Sequence, residues 1–345
     1  MMNDLNYIKR KLEKIPRVNL ISLPTPLEKL DNLAGKLEGP DVYLKRDDII
    51  GGNKMRKLEF LMADALQKKK RKIITFGSVE SNHTREVSVV CNKLGLKSII
   101  FVTKEKEIKK QGNYLLNRIL GAEIKILDPL KPGPAEKGGP STIDQLSRAL
   151  IEKIPDSLRK DDYYIIPVGG YVALGSVGYL LAALEMYDQC KRKNINIDYV
   201  VTAVGTTGTF TGLLYGLSLI NKIENRNIKL LGISVTGPQK KSYGSIIKRC
   251  DKIGSMVGYP AGIEKKDIKI IDNYQPGYGI PSSGAVEAIK LVARKEGLIL
   301  DAVYTGKALD GLIKCISSNM FKKSSSIVFI HTGGFPSLFS FSRYF

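Results

Sequence analysis

The sequence predicts an α/β protein in which parallel sheets are covered by helices on both faces. Short runs rich in β-branched residues alternate with stretches of helical period along almost the whole chain. The crossovers between successive runs are long enough to hold a helix, as parallel pairing requires. A length of 345 residues suits two domains, each large enough to bury a core.

The elements follow in order. Val42, Tyr43 and Leu44 begin a short strand at 42–45. A helix over 54–66 sets Met55, Leu58, Leu61, Met62 and Leu66 on one stripe. Strands at 73–76, 98–102 and 123–127 alternate with helices over 82–94 and 114–120. Pro129, Pro132, Pro134 and Pro140 make 128–140 a loop. Helical spacing resumes over 142–154, a strand follows at 163–166, and 172–188 is again helical. The run at 198–204 is the clearest buried strand, with apolar residues on both of its faces. A glycine-rich turn and a helix to about 219 come next, then a strand at 229–234 and a helix over 239–257. Helices over 283–295 and 308–318 precede a last strand at 327–331, which feeds Gly333 and Gly334.

Composition excludes several classes of protein. Lys and Arg number 54 against 34 Asp and Glu, a formal net charge of +20. That excess admits nucleic acid, an anionic membrane or an acidic small molecule as partner and selects none of them. Basic clusters at 68–72 and 104–110 lack the interleaved aromatics that stack on bases, so they read as solvated helix ends and nucleic acid is not expected. Cys91, Cys190, Cys250 and Cys315 are widely spaced, and His83 and His331 are the only histidines, so neither a disulfide framework nor a metal site is expected. The first residues lack the apolar region of a secretory signal, and no apolar run approaches the ~18 residues of a membrane span. A cytoplasmic protein with no membrane partner is expected.

Four groups of residues could carry chemistry. Gly205, Thr206, Thr207, Gly208 and Thr209, continuing to Gly212, stand between the buried strand and a helix. Such a turn points backbone N–H groups at an anion, and threonine hydroxyls add donors suited to phosphate. A tight turn with helix caps gives the same pattern; the glycine spacing matches neither a Walker A loop nor a dinucleotide fingerprint. Gly51, Gly52 and Asn53 lead into Lys54 at a helix start, where the dipole lowers an amine's pKa and suits a Schiff-base lysine. An exposed lysine on a basic helix would read the same way. Ser81, Asn82, His83 and Thr84 open another helix after a strand, either as ordinary caps or as a site for a substrate carboxylate. His83 and His331 read as packing residues ahead of proton shuttles. Tyr278, Tyr304 and Thr332 lie on glycine-rich turns at a cleft, unless the tyrosines are half-buried packing residues.

Taken together, these residues resemble the fold-type II pyridoxal-phosphate enzymes. More narrowly, they resemble the family of 1-aminocyclopropane-1-carboxylate (ACC) deaminase and D-cysteine desulfhydrase. The resemblance rests on Leu23-Pro24-Thr25-Pro26-Leu27, Leu44-Lys45-Arg46-Asp47-Asp48, Gly51-Gly52-Asn53-Lys54 through Leu58-Glu59-Phe60, and Ser81-Asn82-His83-Thr84-Arg85. It continues through Tyr278-Gly279-Ile280-Pro281, Tyr304-Thr305-Gly306-Lys307 and His331-Thr332-Gly333-Gly334, in family order from residue 23 to the C-terminus.

The resemblance implies two open, twisted, mostly parallel sheets of the tryptophan synthase β-like kind, with the active site between two domains. Residues 1–56 with 169–345 would form the larger, cofactor-binding domain and 57–168 the smaller. Lys54, beside Asn53, would hold pyridoxal 5′-phosphate covalently and then move the Cα proton. Asn82 would bond the cofactor's 3′ oxygen, and Ser81, with Asn82 and His83, would take the substrate carboxylate. Gly205, Thr206, Thr207, Gly208 and Thr209 would cradle the phosphate. Tyr278 and Tyr304 would face the substrate, and Thr305 would lie near the pyridine nitrogen. Family members are commonly homodimers, so a homodimer acting on a small amino acid is implied.

Thr305 and Thr332 stand where ACC deaminases carry glutamate and leucine. A hydroxyl partner leaves the ring nearly neutral, which is sufficient for β-elimination of a good leaving group. The expected reaction is therefore loss of sulfide from D-cysteine to give pyruvate and ammonia. The alternatives are ACC or another deaminase substrate such as cysteate or a β-chloro amino acid, and a non-catalytic basic protein that binds RNA. Glu80 and Glu86 stand where the family usually has glutamine, and Tyr171 is expected to narrow the pocket.

Overall fold

Two separate sheets organise the chain in the computed structural model, which describes residues 4–103, 108, 110–128, 142–158, 162–272 and 277–345. In chain order the strands are β1 (Leu27–Lys29), β2 (Asp41–Arg46), β3 (Lys72–Gly77), β4 (Lys97–Thr103), β5 (Glu123–Leu127), β6 (Tyr163–Ile166), β7 (Tyr199–Val204), β8 (Lys229–Ser234), β9 (Ile270–Ile271) and β10 (Ser326–His331). The helices are α1 (Leu5–Glu13), α2 (Asp31–Leu37), α3 (Asn53–Gln67), α4 (Asn82–Lys93), α5 (Gly112–Ile119), α6 (Ile143–Glu152), α7 (Ala173–Arg192), α8 (Gly208–Ile223), α9 (Tyr243–Val257), α10 (Ser283–Glu296) and α11 (Thr305–Ser317).

The smaller sheet has the order β5–β4–β3–β6 and is parallel throughout. It is drawn entirely from the segment between Lys72 and Ile166. The larger sheet has the order β1–β2–β10–β7–β8–β9, parallel except for β1, which runs antiparallel to β2. β10 therefore sits between β2 and β7, with Ile330 beside Lys45 and Phe329 beside Val201. This pairing brings the turn after β2 against the turn after β10, where the Asn53 N–H donates to the Thr332 carbonyl at 3.1 Å. The carboxyl ends of parallel strands are where α/β proteins gather ligand-binding turns.

Apolar runs such as Val200–Val204 are buried because helices cover both faces of the sheet. One face packs on α7, α8 and α9, and the other on α10 and α11. The stripe Leu5, Ile8 and Leu12 lays α1 onto the first of these layers. α7 and α8 approach each other closely because α8 carries small residues on its inner side. A methyl group at Gly212 would press on the Ser176 carbonyl oxygen of α7, and one at Gly216 would come within 2.6 Å of the Ala183 Cβ. Gly212, read in the sequence as part of an anion turn, thus packs helix on helix.

Expectation and structure differ at short or capped elements. β1, β9 and α2 were not expected, since runs of 3, 2 and 7 residues carry little periodicity. α1 and the 3₁₀ helix Phe335–Tyr344 were also missed. α11 begins three residues before the expected 308, because the buried Asp301 carboxylate accepts the Tyr304 and Thr305 N–H groups at 2.9 and 2.8 Å. Residues 129–140 of the proline-rich loop, and 104–107 and 109 of the second basic cluster, lie outside the described residues. No helix among the described residues is long and apolar enough to cross a membrane.

Candidate active site

The carboxyl ends of both sheets face one cavity of about 580 Å³. Its wall takes Lys54 and Asn53 from the start of α3, Ser81, Asn82 and His83 from the start of α4, and Gly205, Thr206, Thr207 and Thr209 from the turn after β7. Tyr278, Tyr304 and Thr332 complete it. Twelve of the fourteen site residues expected from the sequence thus share one wall, and Gly208 and Thr305 do not belong to it.

Lys54 owes its place to the turn before it. Gly51 and Gly52 take φ values of +97° and +130°, a region that residues with a Cβ avoid. The helix then starts without a side-chain cap of its own, because its N-cap is Gly52. Glu86 of α4 supplies the cap from outside, accepting the Met55 N–H at 3.0 Å. A Cβ at Gly52 would come within 2.7 Å of Glu86 Oε1, so the glycine makes room for this carboxylate. Lys54 Nζ donates to Asn53 Oδ1 at 2.7 Å and lies 5.8 Å from the Tyr304 ring centre. Burial pushes the Lys54 amine below its ordinary pKa; Glu86 and Asp301 oppose the shift and Arg85 adds to it.

The turn after β3 presents Ser81 and Asn82, both nearly buried. Ser81 Oγ accepts the Thr84 N–H at 3.4 Å, so Ser81 caps α4 while still facing the cavity. Glu80 turns its carboxylate away from Ser81 and accepts the Asn113 N–H of α5 at 2.8 Å. His83 Nε2 lies 2.8 Å from Thr75 Oγ1, which itself donates to the Ile166 carbonyl at 2.9 Å. With its one hydrogen committed, the threonine can only accept from the ring, so His83 carries its proton on Nε2. Burial, and then the charges of Lys54 and Lys57, push the pKa of His83 well below its ordinary value. His331 is buried as well, with Nε2 3.2 Å from the Ile299 carbonyl and Nδ1 accepting the Gly333 N–H at 3.3 Å.

The turn after β7 is built to receive an anion. Thr207, the N-cap of α8, takes a left-handed φ of 64° and makes no side-chain cap bond, so the first amides of α8 face the turn without an internal partner. Asn53 Nδ2 donates to Thr209 Oγ1 at 2.9 Å and ties this turn to the start of α3. Gly208 lies behind the wall, where a Cβ would come within 2.7 Å of Tyr171 Cα and 3.0 Å of Lys57 Nζ.

Lys57 was not singled out in the sequence. One helical turn beyond Lys54, it is buried, lines the cavity and donates to the Gly169 carbonyl at 3.3 Å. Burial first, and then the Lys54 charge, push its amine well below the ordinary pKa. A buried ammonium without a carboxylate bonded to it is costly, which suits a site whose occupant brings negative charge. Arg249 of α9 is likewise buried and donates to Thr207 Oγ1, with Asp144 of α6 3.6 Å from its guanidinium. Tyr171 does not line the cavity. Its ring packs 5.1 Å from the Arg249 guanidinium carbon, so the expected narrowing of the pocket is corrected to a packing role.

At the mouth, Tyr304 donates through its hydroxyl to the Tyr278 hydroxyl at 3.1 Å, and Ser78 Oγ lies 3.2 Å from the same oxygen. Burial holds the Tyr304 phenol well above its ordinary pKa. Thr305 is wholly buried behind the wall; its hydroxyl donates to Asp301 Oδ1 at 2.7 Å and accepts the Asp301 N–H at 2.9 Å.

Residues 18–333 match the family described as pyridoxal-phosphate dependent enzyme. The chain is 38% identical over 340 residues to the D-cysteine desulfhydrase of Salmonella typhi, a match covering 96% of this chain and 97% of that one. Identity and coverage are the same with the D-cysteine desulfhydrase of Salmonella newport. Among solved structures, an ACC deaminase homologue superposes with a TM-score of 0.81 at 32% identity, over 98% of both chains. Escherichia coli diaminopropionate ammonia lyase shares the fold alone, at a TM-score of 0.67 and 16% identity over 99% of this chain and 91% of that one.

Proposed function

The chain belongs to the pyridoxal-phosphate dependent enzymes, and from that premise we propose that it is a lyase that eliminates sulfide from D-cysteine. The observation that carries the proposal is the single cavity that gathers Lys54, the Ser81–Asn82 turn and the turn before α8. The near full-length similarity to D-cysteine desulfhydrases supports the substrate.

The donors on the cavity wall fit pyridoxal 5′-phosphate. The uncapped amides of α8, the hydroxyls of Thr206, Thr207 and Thr209 and the amine of Lys57 suit a phosphate dianion. Lys54 would hold the cofactor covalently and Asn82 would meet its 3′ oxygen; Thr305, expected near the pyridine nitrogen, instead lies behind the wall with its hydroxyl given to Asp301. When bound, the cofactor supplies the conjugated ring that takes up the electron pair left at Cα.

The residues of the chain do the rest. The lowered pKa of Lys54 raises the share of its amine that is neutral, the form that covalent attachment and proton abstraction both need. Ser81 and the amides at the start of α4 orient the substrate carboxylate. Tyr304 and Tyr278 form a short hydroxyl chain beside Lys54 that can carry a proton to the departing sulfur. Overall, D-cysteine and one water become pyruvate, ammonia and hydrogen sulfide. The lack of a carboxylate at position 305 favours this elimination over cyclopropane opening, which calls for one there.

The four-stranded sheet drawn from 72–166 supports a smaller domain of 57–168 against a larger one of 1–56 with 169–345. A homodimer in the cytoplasm completes the proposal on family resemblance and is read by light scattering and fractionation. The substrate is tested by assaying sulfide and pyruvate with D-cysteine, L-cysteine, ACC and both cysteate enantiomers. Release of both products from D-cysteine above the rest supports the proposal; ammonia from ACC without sulfide chemistry overturns it.

A further inference from the structure

Asn113 lies outside every motif in the sequence and outside the cavity wall, yet it decides what one part of that wall offers a ligand. It is completely buried at the second position of α5. Arg85 Nε can only donate, and it donates to Asn113 Oδ1 at 3.0 Å. That fixes which end of the Asn113 carboxamide is oxygen, a choice that distance alone leaves open. Its Nδ2 then faces the other way and donates to the Glu80 carbonyl at 2.9 Å and to Asn82 Oδ1 at 2.7 Å.

Both Nδ2 hydrogens of Asn113 are used, and Asn82 is obliged to turn its oxygen inward. Its own Nδ2 therefore faces outward, where it has no protein acceptor among the described residues. Gly334 leaves the space open, since a Cβ there would come within 3.0 Å of Asn82 Nδ2. An asparagine without such a partner could present either a donor or an acceptor to the cavity.

We propose that Asn113 is a positioning residue that locks the Asn82 carboxamide with its N–H toward the cavity, so that this point of the site accepts an oxygen acceptor on the bound group and rejects a donor. The inference rests on the reading that Asn82 contacts the cofactor. Arg85, Asn113 and Asn82 form a directional chain in which an obligate donor at one end sets a donor at the other. Glu80 supports the chain through the backbone on both sides, accepting the Asn113 N–H with its carboxylate and the Asn113 side chain with its carbonyl.

The test uses Asn113→Asp, a nearly isosteric change. Its carboxylate still accepts from Arg85 but turns an acceptor toward Asn82, which must swing Nδ2 back and put Oδ1 into the cavity. The visible band of the purified holoenzyme is expected to shift, and the band to be lost on dialysis roughly tenfold faster than in the parent, the scale of one reversed hydrogen bond. In an Asn82→Ala background the same change is expected to add less than about twofold. An unshifted band with parental dialysis behaviour overturns the inference, as does an equal loss in both backgrounds. If Asn82→Ala alone leaves band and dialysis unchanged, the reading of Asn82 as a cofactor contact fails first. Should Asn113→Asp not fold, Asn113→Ala removes the lock itself and leaves the Asn82 carboxamide free to turn. A band shift in the same direction supports the inference, and an unshifted band overturns it.

Discussion

The Glu86 carboxylate caps the helix that carries Lys54, accepting the backbone N–H of Met55 at 3.0 Å from the neighbouring helix α4. Glu86 stands where a glutamine would make the same bond, so its charge is the added feature. Burial outweighs its neighbours and raises its pKa, while Arg85 and Lys54 pull the other way.

Glu86→Gln should keep the cap and remove the buried charge. A carboxyl whose pKa is raised on folding contributes stability below its unfolded value, and that contribution is lost as pH rises through the raised value. The variant should therefore gain in melting temperature relative to the parent more at pH 8 than at pH 4.5. An equal difference at both values would show that folding leaves the Glu86 pKa unshifted. Without the carboxylate, the Lys54 amine should fall further below its ordinary pKa. Cofactor uptake by stripped protein should then reach half its maximum rate at a lower pH.

Lys57→Met exchanges a buried ammonium for an apolar chain of similar length. Affinity for pyridoxal 5′-phosphate is expected to fall roughly tenfold to a hundredfold, from the loss of one charge-assisted bond, while affinity for unphosphorylated pyridoxal stays level. The cofactor-free variant should melt higher than the parent, since an unpaired buried cation is gone. Equal losses with both ligands would remove Lys57 from the phosphate site.

Tyr304→Phe breaks the hydroxyl chain to Tyr278 and leaves the ring beside Lys54. A drop in kcat of roughly a hundredfold, the usual range for a lost proton carrier, is expected with KM changed little. Tyr278→Phe keeps the Tyr304 hydroxyl and should cost less. A rise in KM with kcat intact would recast Tyr304 as a binding residue.

Gly212→Ala places a methyl group against the Ser176 carbonyl oxygen, in backbone contact rather than beside a flexible side chain. Overpacking of this kind costs about 1–3 kcal/mol, which a melting curve or a denaturant titration reads directly. An unchanged midpoint would mean that α7 and α8 can separate freely.

Lys54, Ser81 and the turn at 205–209 were legible because each follows a strand and opens a helix, a local pattern with a physical meaning. The strands at 73–76 and 198–204 were legible for the same kind of reason, as unbroken apolar runs. Lys57 was hidden inside a basic helix, where nothing local separates a buried lysine from a solvated one. The Glu86 cap and the hold of Asn113 on Asn82 join helices far apart in the chain, and they exist only once α3, α4 and α5 have packed. Tyr171 was misjudged because its neighbour Arg249 comes from α9, 78 positions away by subtraction of the two residue numbers.

β10 lies between β2 and β7, so the last of the described strands in chain order separates the strand leading to Lys54 from the strand leading to the turn at 205–209. A ribosome delivers both of those strands long before it delivers their common neighbour. Until Ser326–His331 emerges, β2 has no parallel partner, and Asn53 has no Thr332 carbonyl to meet. Activity therefore cannot arise before residues 326–331 have been made. Nascent chains released early would expose the bare flanks of two apolar strands, making truncated products candidates for aggregation and proteolysis rather than partly working enzymes.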